Sequence, residues 1–295
     1  MSSAPPLTFE QVTDVAFWRD LRPDLSIERA RPAPVFDVGD TDFLWGTLLH
    51  EGYVNVPGVV STSYVQPIFE CVRCLHARGI PLPFAFVYDE LWEVFQGVAP
   101  YLSAVLGDGY RMLPAFWAWF LPPSDEAAGW GAHRDRLVQM VTDDNVPLSL
   151  TVWLPFSDAT PLNGCVYVIP MYIDDYFERR VWDETSSTAG RDPRNIRALP
   201  ATAGSMLSWN QGLLHWGGRA SRLAPVPRCS AAFEFQRGDV PPFFEPLLDP
   251  TRVPTFGERL GLVARQILQY QHMYPLAPEV AETATRIYEG SLSRR

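Results

Sequence analysis

A histidine and an aspartate lie two positions apart in the segment WGAHRDR, which spans residues 130–136. In an extended chain, alternate side chains lie on the same face, so the imidazole of His133 and the carboxylate of Asp135 would converge. Both groups are common ligands of divalent metals. The alternative interpretation is a charged turn, because a tripeptide of this kind arises easily by chance.

A later histidine can complete the ligand set. His215 follows a strand-like run in QGLLHWGG and is, with His133, one of two histidines in the β-rich part of the chain. Two histidines and one carboxylate on one side of a metal leave positions open, which is typical of non-haem iron(II) centres that admit an organic ligand and dioxygen. We therefore interpret His133, Asp135 and His215 as a metal site; alternatively, both histidines are ordinary core or surface residues. The other histidines lie in helical patterns: His50, His76 and His272.

An arginine strand follows the distal histidine. The run RCSAAFEFQ begins at Arg228, and Ser230 would lie on the same strand face. An oxygenase that uses 2-oxoglutarate needs a cation for the distal carboxylate, and a guanidinium with a hydroxyl could hold it. Arg219 and Arg222 are rival anchors, and a surface ion pair is the alternative for Arg228. The opposite, apolar face would carry four side chains: Cys229, Ala231, Phe233 and Phe235.

A second strand, SLTVWLPF, would supply the rest of a pocket. Ser149, Thr151 and Trp153 share one face, and the aliphatic residues between them share the other. A mixed polar and aromatic face suits a barrel lumen that holds a ligand; the alternative is a half-exposed strand with Trp153 in the core. Five further tryptophans lie near these strands: Trp117, Trp119, Trp130, Trp209 and Trp216. We expect most of them to be core residues and the others to shape an apolar pocket.

The surrounding pattern predicts one domain of the α+β class over residues 1–295. Short aromatic or β-branched runs bounded by turn residues fill residues 108–238 and favour a β-sandwich or barrel. A charged, irregular stretch at 171–200 interrupts this core and reads as an insertion. We expect residues 1–107 to be mainly helical, and residues 239–295 to be helical again.

Within the N-terminal part, residues 1–40 are polar and proline-bearing, which predicts irregular chain. A strand is expected within 51–60, followed by helices over 62–78 and 88–106. The strongest C-terminal helical pattern is FGERLGLVARQILQYQHMY.

Composition excludes several functional classes. The net charge is −10, which argues against a nucleic-acid or anionic-membrane binder. All 24 basic residues are arginines, so Schiff-base chemistry on lysine is excluded. We find neither a signal-peptide pattern nor a membrane-length apolar run, and expect a cytoplasmic protein. Four cysteines are then expected as thiols, including the CxxC pair Cys71 and Cys74, for which a zinc site is the weaker interpretation.

Five segments follow one another in an order and spacing typical of a known family. They are LLHEGYVNVPGVVS, HRD, VWLPFSDATPLNGCVYVIP, GSMLSWNQGLLHWGG and RCSAAFEFQ, and they cover roughly residues 44–236. The chain resembles the phytanoyl-CoA dioxygenase (PhyH) family of iron(II)/2-oxoglutarate oxygenases. The third segment resembles the family's strand, aspartate, Asn-Gly turn and strand that leads to a proline, at Asp158, Asn163, Gly164 and Pro170.

The resemblance implies a double-stranded β-helix, a jelly-roll or cupin-like core, flanked by N- and C-terminal helices. It implies Fe(II) bound by His133, Asp135 and His215, with 2-oxoglutarate and O2 as co-substrates. The expected reaction is oxidation, most simply hydroxylation, of a small organic molecule such as a specialised-metabolism intermediate or an amino-acid derivative. Succinate and CO2 would be released. Co-substrate binding is assigned to four residues: Arg228, Ser230, Trp153 and Thr151.

Two departures from the family pattern bear on the substrate. MYI follows Pro170 where the family often has Gly-Ser-His, and WGGRASRLAPV is longer than usual after His215. Retention of Asp135 favours hydroxylation, desaturation or ring formation over halogenation. Two alternatives stay open: a non-redox, metal-dependent cupin-like isomerase or hydrolase, and a metal-free small-molecule binding protein. The C-terminal helices could pack on the barrel or form a homodimer.

Overall fold

The structure, a computed structural model, describes residues 7–180, 188, 190–271 and 276–292 and combines helices with antiparallel sheets. The α-helices are α1 (Phe9–Thr13), α2 (Val15–Leu21), α3 (Thr41–Glu51), α4 (Thr62–Ala77), α5 (Glu90–Gln96), α6 (Ala99–Leu106), α7 (Asp175–Arg179), α8 (Phe256–Gln269) and α9 (Pro278–Leu292). The strands are β1 (Tyr53–Val56), β2 (Arg111–Leu121), β3 (Ser149–Pro155), β4 (Val166–Val168), β5 (Arg197–Leu199), β6 (Met206–Asn210), β7 (His215–Gly217) and β8 (Arg228–Gln236). Across these residues, every helix is too short or too polar to span a lipid bilayer.

The strands form two antiparallel sheets. One has five strands in the order β1-β6-β3-β8-β2, and the other has three in the order β5-β4-β7. Five runs of the sequence are predicted as strands and correspond to β2, β3, β4, β6 and β8: LPAFWAWFLPP, PLSLTVWLPF, GCVYVIP, GSMLSWNQ and RCSAAFEFQ. The predicted mixture of helices and strands is therefore confirmed.

The two faces of the five-stranded sheet pack differently. Leu150, Val152 and Leu154 of β3 join a cluster with the helices, and so do the four apolar residues predicted for one face of β8. Trp153, Trp209 and Ala232 face the other way and join a second cluster, which includes Val166 of the three-stranded sheet. The alternation predicted for β3 and β8 is confirmed, and it directs the polar face of β8 towards the second sheet.

Residues 1–40 were predicted to be irregular, and this is wrong for α1 and α2. Thr8 and Gln11 form a reciprocal capping box at the start of α1, and Asp14 accepts a hydrogen bond from the Ala16 amide at the start of α2. These helices have 5 and 7 residues. Helices of that length show no apolar period, so only their caps mark them in the sequence.

The single helix predicted over 88–106 is divided into α5 and α6. Pro100 lies in the first turn of α6, where its missing N–H is tolerated but could not continue a preceding helix. Gly97 lies at the break, and a Cβ there would be 2.3 Å from the ring of Phe36. The other predicted helices correspond to α4 and α8, although residues 272–274 of the C-terminal pattern lie outside the described residues.

The segment WGAHRDR is not a regular strand. His133 instead forms an isolated antiparallel bridge with His215, in which each backbone amide donates to the other carbonyl over 2.9 and 3.0 Å. The stretch 171–200, predicted to be an irregular insertion, contains α7 and ends in β5, which pairs with β4. Three-residue strands that pair over a long sequence separation leave too little local pattern to detect.

Candidate metal centre

The bridge between His133 and His215 brings the three predicted metal ligands together. The Nε2 atoms of both histidines lie 3.5 Å from Oδ1 of Asp135. One nitrogen or oxygen from each residue lies within 4.8 Å of the others, the only group of this kind found in the described residues. A single ion could therefore contact all three side chains, as the sequence predicts.

Both imidazoles are held in the tautomer that a metal requires. His133 Nδ1 donates to the carbonyl of Gly131 over 2.8 Å, and His215 Nδ1 donates to the carbonyl of Leu213 over 3.0 Å. Because a carbonyl oxygen can only accept, Nδ1 carries the proton in each ring and Nε2 keeps its lone pair. The two lone pairs point to the side of Asp135.

Asp135 is oriented by two donors on its other oxygen. The hydroxyl of Thr151 and the indole N–H of Trp209 donate to Oδ2 over 2.7 and 3.0 Å. Oδ1 therefore faces the histidines and is the oxygen available to an ion. This donor set of two neutral imidazoles and one carboxylate fits Fe(II) with positions left for other ligands.

The pKa values of His215 and Asp135 are shifted towards the forms that bind a metal, whereas the pKa of His133 is shifted towards the protonated form. Burial lowers the pKa of His215 to about 4, so its Nε2 is unprotonated at neutral pH. Burial also opposes charge on His133, but the hydrogen bond and charge of Asp135 outweigh it, and the pKa of His133 is raised. Burial likewise opposes charge on Asp135, yet the neighbouring histidines and the Thr151 hydroxyl hold its pKa well below the usual range.

Thr151 is expected to tune metal affinity through this contact. Thr151→Val keeps the shape of the side chain and removes the donor to Oδ2, which leaves Asp135 held by Trp209 alone. Loss of an outer-shell hydrogen bond typically weakens metal binding by roughly 10- to 100-fold. A calorimetric titration of Thr151→Val with Co(II) should show a loss in this range; an unchanged affinity would mean that the hydroxyl does not position Asp135.

A cavity adjoins the three ligands and is lined by the polar face of β8. Arg228 and Glu234 of that strand line it, together with Thr151 and Trp153 of β3. The five tryptophans singled out in the sequence also line it: Trp117, Trp119, Trp130, Trp209 and Trp216. The metal ligands therefore face a mainly aromatic space that contains one arginine and one further carboxylate.

Arg228 is buried without a carboxylate partner. It is 3 % exposed, and no salt bridge to it occurs in the described part of the chain. Nη1 lies 3.4 Å from the Ser230 hydroxyl, and the guanidinium carbon lies 5.8 Å from the ring centre of Trp153. Its Nε finds no hydrogen-bond acceptor among these residues. A buried, incompletely bonded guanidinium on the cavity wall fits an anionic ligand.

The rival arginines lie elsewhere. The Arg222 side chain is 78 % exposed and its Nε lies 3.7 Å from Oδ2 of Asp125. Arg219 is also exposed and donates to the backbone carbonyl of Asp125. Neither lines the cavity. Of the three arginines, Arg228 is the one that lines the cavity.

Glu234 is a cavity residue that is not among the predicted site residues, although it lies on the same predicted strand face as Arg228 and Ser230. Glu234 forms an ion pair with Arg136 at 2.5 Å, and Arg136 also donates to the Gln211 side chain. Burial raises the pKa of Glu234 to about 7, although Arg136 opposes this shift. The alternation of RCSAAFEFQ could have indicated its position, but its partner could not be read locally.

The remaining sequence candidates lie away from the centre. His50 is in α3 and stacks on Tyr172, and His76 is in α4. His272 lies outside the described residues. Cys71 and Cys74 lie on one helix, and all four cysteines are free thiols.

Comparison with known proteins agrees with this geometry. The family model described as phytanoyl-CoA dioxygenase (PhyH) matches residues 89–222, which include all three candidate metal ligands and end before Arg228. A comparison with curated protein sequences finds no match.

Several solved structures share the fold. The epimerase SnoN, in complex with Fe3+, alpha ketoglutarate and nogalamycin RO, is 17 % identical over 73 % of this chain and 94 % of its own, with a TM-score of 0.52. HygX from Streptomyces hygroscopicus, with nickel and 2-oxoglutarate bound, is 15 % identical over 68 % of this chain and 88 % of its own, with a TM-score of 0.51. The non-heme monooxygenase ThoJ is 13 % identical over 85 % of this chain and 100 % of its own, with a TM-score of 0.56. At such identities the likeness is one of fold.

Proposed function

We propose that the chain, in which residues 89–222 match the phytanoyl-CoA dioxygenase (PhyH) family model, is an Fe(II)- and 2-oxoglutarate-dependent dioxygenase of that family. We propose that it hydroxylates a small organic substrate and that its two sheets form the double-stranded β-helix of such enzymes. One observation carries the proposal: the buried Arg228 guanidinium lines the same cavity as the three candidate metal ligands.

The protein side of the chemistry follows from this arrangement. His133, Asp135 and His215 would hold Fe(II), and Arg228 with Ser230 would hold the distal carboxylate of 2-oxoglutarate. When bound, Fe(II) and 2-oxoglutarate would supply the activation of dioxygen: 2-oxoglutarate would lose CO2 and take one oxygen atom to become succinate, and the other oxygen atom would enter the hydroxylated product. Burial of Arg228 beside Trp153 strengthens its attraction for a carboxylate, because water does not screen it there. The aromatic wall excludes water from the reacting groups.

The relatives favour this class over the alternatives. SnoN and HygX are described with 2-oxoglutarate bound, and SnoN is an epimerase. A non-redox isomerase or hydrolase has no use for a buried, unpaired arginine beside the metal ligands. A metal-free binding protein has no use for two imidazoles whose Nε2 atoms converge on one carboxylate oxygen. The substrate we propose is an uncharged or weakly charged molecule with an apolar ring or chain, because the lining is mainly aromatic.

A succinate-release assay tests the proposal. The protein is supplied with Fe(II), 2-oxoglutarate and O2, and candidate substrates are added singly while succinate and substrate products are both quantified. We expect at least one substrate to raise succinate release in proportion to an oxidised product. His215→Ala serves as the matched inactive protein. A product formed without succinate would favour the non-redox alternative and reject the proposal.

A further inference from the structure

The segment that carries two of the three candidate ligands is joined to the chain around His215 by irregular backbone pairing. Between the end of β2 at Leu121 and the start of β3 at Ser149, the described chain forms isolated bridges and no regular strand. Backbone hydrogen bonds join residues 127–136 to residues 211–220: two in the His133–His215 bridge, one from the Arg136 amide to the Gln211 carbonyl over 3.1 Å, and others at Gly129 and Trp130. These bonds connect the segment with one neighbouring stretch, so contacts with a third part of the chain fall to side chains.

Arg134 supplies such contacts from between the two ligands. Its side chain is 3 % exposed and makes a 2.8 Å ion pair with Asp174, whose side chain is fully buried. Another nitrogen of the same guanidinium donates to the carbonyl of Gly212, three residues before His215. One side chain thus joins the His133–Asp135 segment, the turn that leads to His215 and the residue that precedes α7.

Asp174 is itself held on several sides. Its Oδ1 accepts from the amide of Tyr176, which caps α7, and lies 2.9 Å from Nη1 of Arg191. The ring of Tyr176 lies 4.9 Å from the guanidinium carbon of Arg134. Asp174 therefore joins α7 and Arg191, both within the charged stretch 171–200, to the segment that carries the ligands.

We infer that Asp174 is a positioning residue for the metal centre, acting through Arg134; this rests on the proposed function. Without the carboxylate charge, the buried guanidinium of Arg134 loses a close anionic partner, and turning towards water lowers the free energy of the protein. That movement would displace the backbone between His133 and Asp135 and release the Gly212 carbonyl. The two imidazoles would then no longer converge on Asp135.

Asp174→Asn tests this inference against a matched control. The pair Asp89–Arg259 is equally buried, with a 2.6 Å contact and side-chain exposures of 2 % and 1 %, but it lies among the helices. Both Asp174→Asn and Asp89→Asn should lower the melting temperature. In a Co(II) titration well below that temperature, Asp174→Asn should bind roughly 10- to 100-fold more weakly and with an altered visible spectrum. Asp89→Asn should bind like the wild type.

Arg134→Lys is a second variant for the case that Asp174→Asn fails to fold. Lysine keeps the charge, but its single nitrogen cannot reach both Asp174 and the Gly212 carbonyl in the fork geometry of arginine. We expect weaker Co(II) binding, with little further loss when both substitutions are combined. Wild-type affinity in a folded Asp174→Asn or Arg134→Lys protein would overturn the inference alone. A wild-type protein that binds no Co(II) would overturn the proposed function as well.

Discussion

His215→Ala is expected to abolish metal binding while leaving the fold intact. The substitution removes one of the two Nε2 atoms that converge on Asp135 Oδ1, and the remaining pair cannot hold an ion on three sides. The loss should exceed the roughly 10- to 100-fold effect of an outer-shell change. The backbone bridge to His133 does not depend on the side chain, so the secondary structure should persist. Anaerobic calorimetry with Fe(II), combined with circular dichroism, measures both.

His50→Ala is the matched control for this variant. His50 lies on α3 with an exposed side chain, away from the cavity. It should bind Fe(II) like the wild type and release succinate at the same rate. Equal binding by His215→Ala and the wild type would contradict the assigned ligand set.

Arg228→Met is expected to weaken 2-oxoglutarate binding strongly without weakening binding of the metal. Truncating one partner of a buried charge pair typically costs about 2–5 kcal/mol, which corresponds to a loss of roughly 30-fold or more. The reason is the burial of Arg228 on the cavity wall, where no other described arginine lies. Calorimetric titration of the metal-loaded protein with 2-oxoglutarate measures the effect.

The same variant is expected to be more stable than the wild type when no 2-oxoglutarate is present. Burial lowers the pKa of Arg228 to about 10 from an ordinary value of 12.5, and a shift of that size corresponds to about 3 kcal/mol. Because the folded-state pKa of this base is the lower one, the cost is present in full below pH 10 and disappears as the pH rises towards 12.5. Thermal unfolding at neutral pH should therefore show a melting temperature raised by about 2 °C or more.

Arg222→Met controls both measurements, because Arg222 is exposed and paired with Asp125. It should leave 2-oxoglutarate affinity and melting temperature close to those of the wild type. Loss of 2-oxoglutarate binding in Arg222→Met, with retention in Arg228→Met, would exchange their roles.

The strand alternation explains how much of the site could be predicted. Residues two apart on β3 and β8 share a face whatever the neighbouring strands are, so Trp153, Arg228 and Ser230 could be placed together from local pattern. The two-residue spacing of His133 and Asp135 is also a local pattern, although His133 lies in an isolated bridge with His215 and not in a regular strand.

The contacts that orient the ligands could not be predicted, because they join distant segments. Trp209 reaches Asp135 because β6 lies beside β3 in the sheet, and that order is not encoded in either strand alone. Arg134 and Asp174 meet across 40 residues, and Asp174 lies near the start of a charged stretch that is predicted to be an irregular insertion. The sequence therefore indicates which residues are the candidate ligands, whereas tertiary packing determines which side chains orient them.

A crystal structure grown anaerobically with Fe(II) and 2-oxoglutarate, measured at the iron absorption edge, tests the central claim most directly. We expect one anomalous peak per chain within bonding distance of His133 Nε2, Asp135 Oδ1 and His215 Nε2, with the distal carboxylate of 2-oxoglutarate against the Arg228 guanidinium. Iron bound by a different set of residues, or 2-oxoglutarate seated away from Arg228, would contradict the account.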